Sequence, residues 1–399
     1  MTTTAPVPTA APAAPRLRYG ALLAMMAMSF LLVTAEFLPN GVLVEIADSV
    51  GVTPGQAGQM VTVTAFVGLL VAPTIGLALP RLDRRSLLVW MALAATVSNA
   101  VVAIAPNLPL LLLARILLGA ALSGFWTMSI SVAARIAGPE RLGRAVMFTS
   151  AGTSLATVAG VPVGVMLSEL LDWRGVFGVA ALATAVLAAA LRVLLPSVPA
   201  ESAARLSLLV DTVRRPGIGL GLAGHILVVL GHFLAYTYIR LALDRVAGAD
   251  AATVILLLAL FGIGGFLGNI VIGLVIDRTY RAFAVISPLV IAVMVALVIA
   301  GSGLVWAIGA FVFVWGFFFA SWLLIANTWV GHRLPDRLEA GGSILVVGFQ
   351  AAIMVAAGAG GMLVDGFGVV TVYLAGAVVL VIGAVLFGLS NRSAAAVSR

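Results

Sequence analysis

A carboxylate interrupts an apolar run near the N-terminus of this chain. Glu36 lies within the stretch VTAEFLPNGV, inside the apolar residues 20–44. An ionisable residue in such a segment is costly in lipid, so it faces a protein interior and marks a functional site by default. Asn40 follows four residues later on the same helix face. Pro39 has no amide hydrogen, so it leaves one carbonyl of the preceding turn without its helical donor.

Arg115 is a second ionisable residue inside an apolar run, residues 108–131. At 1.5 Å per residue, Glu36 lies about 15 Å and Arg115 about 12 Å below the same end of their helices. Arginine stays protonated, whereas a buried carboxyl group can be charged or neutral. Two interpretations remain open. Either Glu36 carries a proton beside a fixed positive charge, or the two residues form a static ion pair that fixes helix packing.

Two histidines on one helix face form a second candidate group. His225 and His232 are seven residues apart, with Tyr236 one turn further on. A neutral imidazole can relay a proton or bind a solute, so His232 joins Glu36 and Arg115 as a candidate for proton coupling. The alternative is that both histidines are hydrogen-bonded interior residues. The predicted solute contacts are Asn40, His225, Tyr236, Trp315, Phe319, Trp322, Asn327 and Gln350.

Three of those predicted contacts, Trp315, Phe319 and Trp322, follow one helix face. They could stack on a planar ligand, and helix–helix packing is the equally open alternative. Asn269 is predicted to be a packing residue near one end of its helix. Met25, Met26 and Met28 are predicted to contact lipid or core.

The composition sets the class of protein. Apolar residues make up 62% of the 399 and charged residues only 9%. A soluble domain carries about 25% charged residues, so the chain reads as a multi-span helical membrane protein. It contains no cysteine, which excludes disulfides and thiolate metal sites. No phosphate-binding glycine loop and no nucleophile–base pair is visible, so we predict neither enzyme activity nor a cofactor or metal.

Twelve apolar segments of about 20–25 residues are long enough to cross a bilayer as helices. They are residues 20–44, 57–79, 86–105, 108–131, 145–167, 174–195, 217–239, 251–275, 282–301, 304–328, 341–364 and 369–390. Strands are not viable because an open sheet edge in lipid leaves backbone groups unsatisfied. The prediction is an all-α membrane protein of two pseudo-symmetric six-helix bundles.

Arginine placement predicts the orientation. All 22 basic residues are arginine, and eighteen fall in connections on the same side as the N-terminus. The positive-inside rule then places both termini in the cytoplasm. The predicted divisions are a disordered tail (1–18), a first bundle (19–195), a cytoplasmic linker (196–216), a second bundle (217–390) and a tail (391–399). The high pI follows from topology, so nucleic-acid binding is not needed. The expected partners are lipid, protons and a small solute, for a monomeric protein.

Four motifs resemble those of the major facilitator superfamily, specifically its twelve-span drug:proton antiporters. GLVIDRTYR resembles the cytoplasmic signature through Gly273, Asp277 and Arg278, and GLALPRLDRR repeats it weakly with Gly76, Arg84 and Arg85. LLLARILLGAALSG carries Arg115 and Gly119, and AGVPVG carries Gly160, Pro162 and Gly164 in an antiporter-like motif. DWRGVF resembles a common start of the sixth span. AEFLPNGVL is similar to the first span of sugar, purine-nucleoside and chloramphenicol efflux carriers.

The resemblance implies a function that the residues alone leave open. It implies a proton-coupled efflux antiporter of a drug-like, nucleoside-like or sugar-like solute in the cytoplasmic membrane, a class associated with antibiotic resistance. The alternatives are a proton-coupled nutrient symporter or facilitator and a non-transporting membrane sensor. Two departures stand out: Pro80 occupies the signature aspartate position, with Asp83 three residues later, and Pro162 comes one residue late. The first puts the inter-bundle clamp of relatives in question.

Overall fold

The protein is helical throughout the part that a computed structural model describes, residues 18–79, 81–137, 142–199, 206–301 and 303–392. The helices are α1 (Tyr19–Gly41), α2 (Leu43–Val50), α3 (Pro54–Ala78), α4 (Arg84–Ile104), α5 (Leu108–Ala137), α6 (Leu142–Leu155), α7 (Val161–Leu194), α8 (Leu206–Val213), α9 (Ile218–Thr237), α10 (Ile239–Leu243), α11 (Ala251–Ala300), α12 (Val305–Ala320), α13 (Trp322–Arg333) and α14 (Leu338–Arg392). A π-helical turn, Ala156–Gly160, joins α6 to α7. No strand occurs in these ranges, so the predicted all-α class is confirmed.

Ten helices in the described ranges are long and apolar enough to cross a membrane. Two of them, Ala151–Leu194 and Ala340–Ser390, are 44 and 51 residues long and can cross twice. Each contains one residue with a non-helical backbone, Asp172 (φ 60°) and Gly368 (φ 79°), at the predicted boundary between two spans. The twelve predicted crossings are therefore helical over nearly their whole length.

Two connections differ from the sequence prediction. Residues 276–281, where a turn was predicted, are helical and lie within α11. This segment contains no glycine or proline to end a helix, which favours continued helical structure. The predicted linker contains the helix α8, because the leucine and valine residues of LSLLVDTV give this segment an apolar face. Pro80 and the two terminal tails, apart from residues 18, 391 and 392, lie outside the described residues.

The first six spans (the N-terminal half) pack mainly on one another, as do the last six (the C-terminal half). The halves meet chiefly where α3 contacts α14 and where the α6–α7 region contacts α11. We call the end at which α3 begins the latch end. The opposite end, where residues 196–216 connect the halves, is the linker end.

Small residues allow α7 to approach α1 closely, beside Glu36. A Cβ atom added at Gly160 would collide with the Thr34 side chain, and one at Gly164 with Leu38. Pro162 at the start of α7 lacks an amide hydrogen, which accounts for the adjacent π-helical turn. Gly119 has the same packing role on α5, where a Cβ would meet the main-chain oxygen of Thr64.

The DWRGVF motif positions the start of the sixth span. Asp172 accepts a hydrogen bond from the amide of Gly175 at 2.9 Å, which caps the helix that follows the break. Trp173 donates to Ser49 at 3.0 Å, and the Arg174 guanidinium lies 4.3 Å from the centre of the Trp173 ring. This motif is therefore a packing element at the latch end.

Asp83 holds the linker against the N-terminal half. It caps α4 through the amide of Ser86, and it accepts hydrogen bonds from the Ser197 hydroxyl (2.5 Å) and the Val198 amide (2.8 Å). Burial opposes these hydrogen bonds, but they hold the pKa of Asp83 below its usual range. These contacts join Asp83 to its own half and to the start of the linker, so none of the described contacts of Asp83 clamps the two halves together. Arg84 is buried beside it and Arg85 lies 3.9 Å from its carboxylate.

Two residues of the C-terminal copy of that signature, Gly273 and Arg278, have described surroundings, and neither is tightly packed. Gly273 has only an ordinary contact with Leu324, 3.6 Å from where a Cβ would lie. Arg278 is exposed. The Asp277 side chain lies outside the described residues, as do the surroundings of Gly76 in the first copy.

Candidate functional site

A cavity of about 540 Å³ lies between the two halves. Its walls come from α1, α5, α6, the π-helical turn and the start of α7 on one side and from α9, α11, α12, α13 and α14 on the other. It extends from the level of Glu36 toward the linker end, where Trp126, Asn269 and Asn327 line it. The walls are mostly apolar with a few polar groups, as in many small-molecule sites.

Glu36 lines this cavity and is only 4% exposed. Its Oε1 atom is buried and has no hydrogen-bond partner among the described residues. A buried polar atom without a partner is rare in proteins and calls for a functional explanation. Among the described residues that line the cavity between the two halves, Glu36 is the one acidic side chain.

Arg115 is fully buried and joins three helices of the N-terminal half. Its Nη1 donates to the main-chain oxygen of Ala35 at 2.9 Å and its Nη2 to that of Glu36 at 3.0 Å. Its Nε donates to the Thr64 hydroxyl at 3.0 Å. The Ala35 carbonyl is the one that Pro39 leaves without a helical donor, as predicted. No ion pair joins Arg115 to the Glu36 carboxylate within the described residues.

The latch end is closed by contacts between the halves. Asp365 at the end of the eleventh span accepts hydrogen bonds from the Thr53 hydroxyl (2.6 Å) and the Gly55 amide (3.0 Å). It thus caps the N-terminus of α3 from the opposite half. Arg240 lies 3.4 Å from Glu45, whose pKa is raised by burial against the opposing effects of its own backbone hydrogen bond and Arg240. Below these, the Phe37 ring stacks on Phe233 at 5.5 Å.

Two histidine–tryptophan pairs connect α9 to α12 and α13. Trp315 donates from its indole nitrogen to Nδ1 of His232 at 2.9 Å. Trp322 donates in the same way to Nδ1 of His225 at 3.1 Å. The spacing of seven residues on both partners produces two similar rungs between antiparallel helices.

Some of the predicted site residues line the cavity and others lie behind its wall. Those that line it are Glu36, His232, Tyr236, Phe319, Trp322, Asn327 and Gln350. Those that lie behind the wall are Asn40, Arg115, His225 and Trp315. Asn40 is fully buried, and neither of its amide atoms has a partner among the described residues. Met25 and Met28 are core residues, as predicted.

Several cavity residues were not predicted. They are Phe37, Ser123, Trp126, Phe233, Phe261, Asn269 and Phe349. The prediction of Asn269 as a packing residue was wrong, since it lines the linker end of the cavity. The aromatic residues carried no signal, because a phenylalanine in an apolar run looks the same whether it faces lipid, core or cavity. No cluster of metal-ligating side chains occurs among the described residues.

Comparison with known proteins identifies the family. A profile described as Major Facilitator Superfamily matches residues 25–217. The protein named Transcription regulatory protein OpdE, from Pseudomonas aeruginosa, is 33% identical over 382 residues, which are 94% of this chain and 95% of that protein. The chain belongs to the Major Facilitator Superfamily. The resemblance of its motifs to that family is thereby confirmed, and the chain is a multi-pass membrane protein of a transporter family.

Other relatives of this Major Facilitator Superfamily protein include a named efflux pump. Purine ribonucleoside efflux pump NepI, from Escherichia coli strain K12, is 32% identical over 356 residues, or 89% of this chain and 90% of that protein. The crystal structure of a D-xylose-proton symporter superposes with a TM-score of 0.74 at 15% identity, covering 93% of this chain and 97% of that one. An inward-facing, occupied bacterial homologue of the lysosomal transporter Spinster has a TM-score of 0.73 at 15% identity, with coverages of 94% and 97%. These two structures support the fold.

Proposed function

We propose that this protein is a proton-coupled efflux antiporter that exports a small drug-like, nucleoside-like or sugar-like solute by alternating access. The observation that carries the proposal is Glu36, a buried carboxyl group with an unpartnered oxygen on the wall of a cavity shared by both halves. The named relative NepI is a purine ribonucleoside efflux pump, which favours a nucleoside-like solute.

Exchange requires a group in the site that is protonated in one direction of transport and deprotonated when the solute is bound. Glu36 takes up a proton when the cavity faces outward, and solute binding from the cytoplasm accompanies its release inward. Arg115 holds a fixed positive charge nearby through main-chain oxygens and does not depend on the state of the carboxylate. One pH unit supplies about 1.4 kcal/mol and 100 mV about 2.3 kcal/mol per charge moved. One proton thus suffices for a gradient of roughly a hundredfold in a neutral solute.

The setting proposed is the cytoplasmic membrane, with both termini in the cytoplasm and a monomeric chain. This orientation follows from the arginine distribution. The cavity then opens toward the cytoplasm, since the contacts of Asp365 and Arg240 close the other end. With this orientation we assign the arrangement to an inward-facing state, which the closed latch end supports.

Proton and solute fluxes in proteoliposomes test the proposal. Vesicles loaded with adenosine and a lumenal pH dye are diluted into adenosine-free buffer. An antiporter acidifies the lumen as adenosine leaves, whereas a symporter makes the lumen more alkaline. We expect acidification with the wild-type protein and none with Glu36→Gln, while exchange of adenosine for labelled adenosine persists. Lumenal alkalinisation would overturn antiport.

A sensor without transport is the second candidate. One observation favours it: a relative that matches nearly the whole chain is named a transcription regulatory protein. A sensor would bind adenosine without moving either adenosine or protons in the same vesicles. Binding without flux would therefore select the sensor.

A further inference from the structure

The two histidine–tryptophan rungs, His225–Trp322 and His232–Trp315, differ in what lies at the far nitrogen of each imidazole. In the first, Nδ1 of His225 accepts from Trp322 at 3.1 Å and Nε2 lies 3.1 Å from the main-chain oxygen of Leu345. An indole nitrogen only donates and a carbonyl only accepts. His225 is therefore a neutral imidazole with its hydrogen on Nε2, and both nitrogens are satisfied. The ring lies behind the cavity wall.

In the second rung the same indole donor is present but the carbonyl is missing. Nδ1 of His232 accepts from Trp315 at 2.9 Å, and no described residue forms a hydrogen bond with Nε2. The Phe319 ring lies parallel to the imidazole, with centroids 3.1 Å apart, and the Tyr236 ring is nearly parallel at 5.3 Å. These two rings cover the two faces of the imidazole. A solute in the cavity can therefore reach only the edge of the ring, where Nε2 lies. His232 is among the residues that line the cavity.

We infer that Trp315 fixes His232 as a neutral imidazole whose Nε2–H donates to the transported solute, and that His232 selects planar, uncharged heterocycles carrying a ring nitrogen or carbonyl acceptor. This inference rests on the proposed transport function. His225 shows the partner that such a donor takes, a carbonyl oxygen at 3.1 Å. The solute's acceptor occupies the corresponding position at His232.

The same geometry argues that His232 does not carry the coupled proton. An imidazolium bears hydrogens on both nitrogens, and the hydrogen on Nδ1 would then face the indole N–H of Trp315. That pairing places two donors against each other in a buried site, which costs a hydrogen bond and adds desolvation. Proton coupling is thereby left to Glu36, and Trp315 is a positioning residue.

A second donor on the cavity wall supports the ligand chemistry. Nε2 of Gln350 is buried and has no partner among the described residues. Gln350 is 5% exposed and lines the same cavity as His232. Two donors without acceptors suit a solute that supplies acceptors, whereas a cationic solute would leave both unpaired. The phenylalanine and tyrosine rings around them suit a flat ring system.

Nitrogen-15 NMR of the histidines tests the tautomer directly, because the chain has only three histidines. We expect Nδ1 of His232 to be unprotonated and Nε2 protonated between about pH 5 and pH 8, the range in which a free imidazole changes charge. Trp315→Phe should allow Nδ1 of His232 to bind a proton at the acidic end, with the His225 signals unchanged. Trp329→Phe is the matched control, because the buried Trp329 indole nitrogen has no described partner. A wild-type His232 protonated at Nδ1, or one insensitive to Trp315→Phe, would overturn the inference.

Binding of adenosine and its 1-deaza, 3-deaza and 7-deaza analogues tests the selecting role. We expect at least one analogue to bind about tenfold more weakly, as expected when a buried donor loses its acceptor. His232→Asn keeps an acceptor for Trp315 but lacks the distal donor, so it should abolish that difference. His232→Gln places an amide donor at the distal position and should retain it. Equal binding of all four probes would overturn the selecting role. Failure of all four to bind, with the NMR result intact, would reject the nucleoside-like solute of the proposed function.

Discussion

Thr53 donates a hydrogen bond to Asp365 across 2.6 Å, and the two residues belong to different halves of the protein. Thr53 caps its own helix, where its hydroxyl oxygen also accepts from the Gln56 amide. Asp365 therefore completes the end of α3 only while the latch end is closed. Opening this end requires α3 to lose part of its cap.

Asp365→Ala should shift the protein away from the latch-closed state. Loss of a helix cap costs about 0.5–2 kcal/mol, so we expect the closed population to fall several-fold relative to the open one. The chain lacks cysteine, so spin labels at Asp48→Cys and Phe367→Cys can report the distance between halves by pulsed electron resonance. A longer or broader distance distribution is expected.

Asp250→Ala is the matched control for the latch. Asp250 caps α11 by accepting from the amide and hydroxyl of Thr253, and both residues lie in one half. Its removal should lower stability by a similar amount without changing the inter-half distance. Equal distance changes in the two variants would show that the Asp365 contact does not hold the latch.

Glu36→Gln should leave the fold intact. No described side chain donates to the Glu36 carboxylate, and Arg115 binds main-chain oxygens. We expect the thermal midpoint in detergent to stay unchanged or to rise, because a buried charge has been removed. Arg115→Met should instead lower stability by about 3 kcal/mol or more, since it removes a buried group that bridges α1, α3 and α5 and strands the Ala35 carbonyl. Equal destabilisation would indicate that the carboxylate itself is a packing element.

The contribution of Asp83 to the stability of the fold should change with pH only under acidic conditions. Hydrogen bonds from Ser197, Ser86 and Val198 outweigh burial and lower its folded-state pKa. A carboxyl group of this kind stabilises the fold above its unfolded pKa and loses that contribution as pH falls through the folded value. The difference in thermal midpoint between wild type and Asp83→Asn should therefore be constant from about pH 8 to pH 5 and shrink below about pH 4. A difference that changes near neutral pH would contradict this assignment.

Gly160→Ala should separate α7 from α1. The added Cβ would collide with the Thr34 hydroxyl, and overpacking of this kind costs about 1–3 kcal/mol. Thr34→Ala removes the colliding atom and should partly rescue the variant. Gly178→Ala provides the control, because nothing lies within 4 Å of its added Cβ, and it should be neutral or slightly stabilising. Thermal unfolding compares the four proteins.

The sequence predicted the helices and the depth of the ionisable residues well, for clear physical reasons. Length, apolarity and punctuation determine where helices cross a bilayer, and the rise per residue places Glu36 and Arg115 near the same depth. It also predicted the carbonyl freed by Pro39, because that effect is local. The partner of the carbonyl, Arg115, is 80 residues away and depends on how α5 rotates.

The contacts between helices were beyond sequence reasoning. The seven-residue spacing of His225 and His232 matches that of Trp315 and Trp322, yet the register between the two helices cannot be read from either. Ligand stacking and helix packing were therefore equally open for Trp315, which lies behind His232 and donates a hydrogen bond to it. The contact of Asp365 could not be predicted from the sequence, since its partner is the amide of Gly55 at the start of a helix in the other half.

The attachment of Arg115 to peptide oxygens also bears on how such a protein evolves. Every residue type supplies the same main-chain carbonyl, so replacement of Ala35 by another small residue leaves the anchor intact. The packing of α5 against α1 through Arg115 therefore does not depend on which side chain is present at residue 36. Under the proposed coupling role of Glu36, a lineage can change its energy source at residue 36 while keeping the same scaffold.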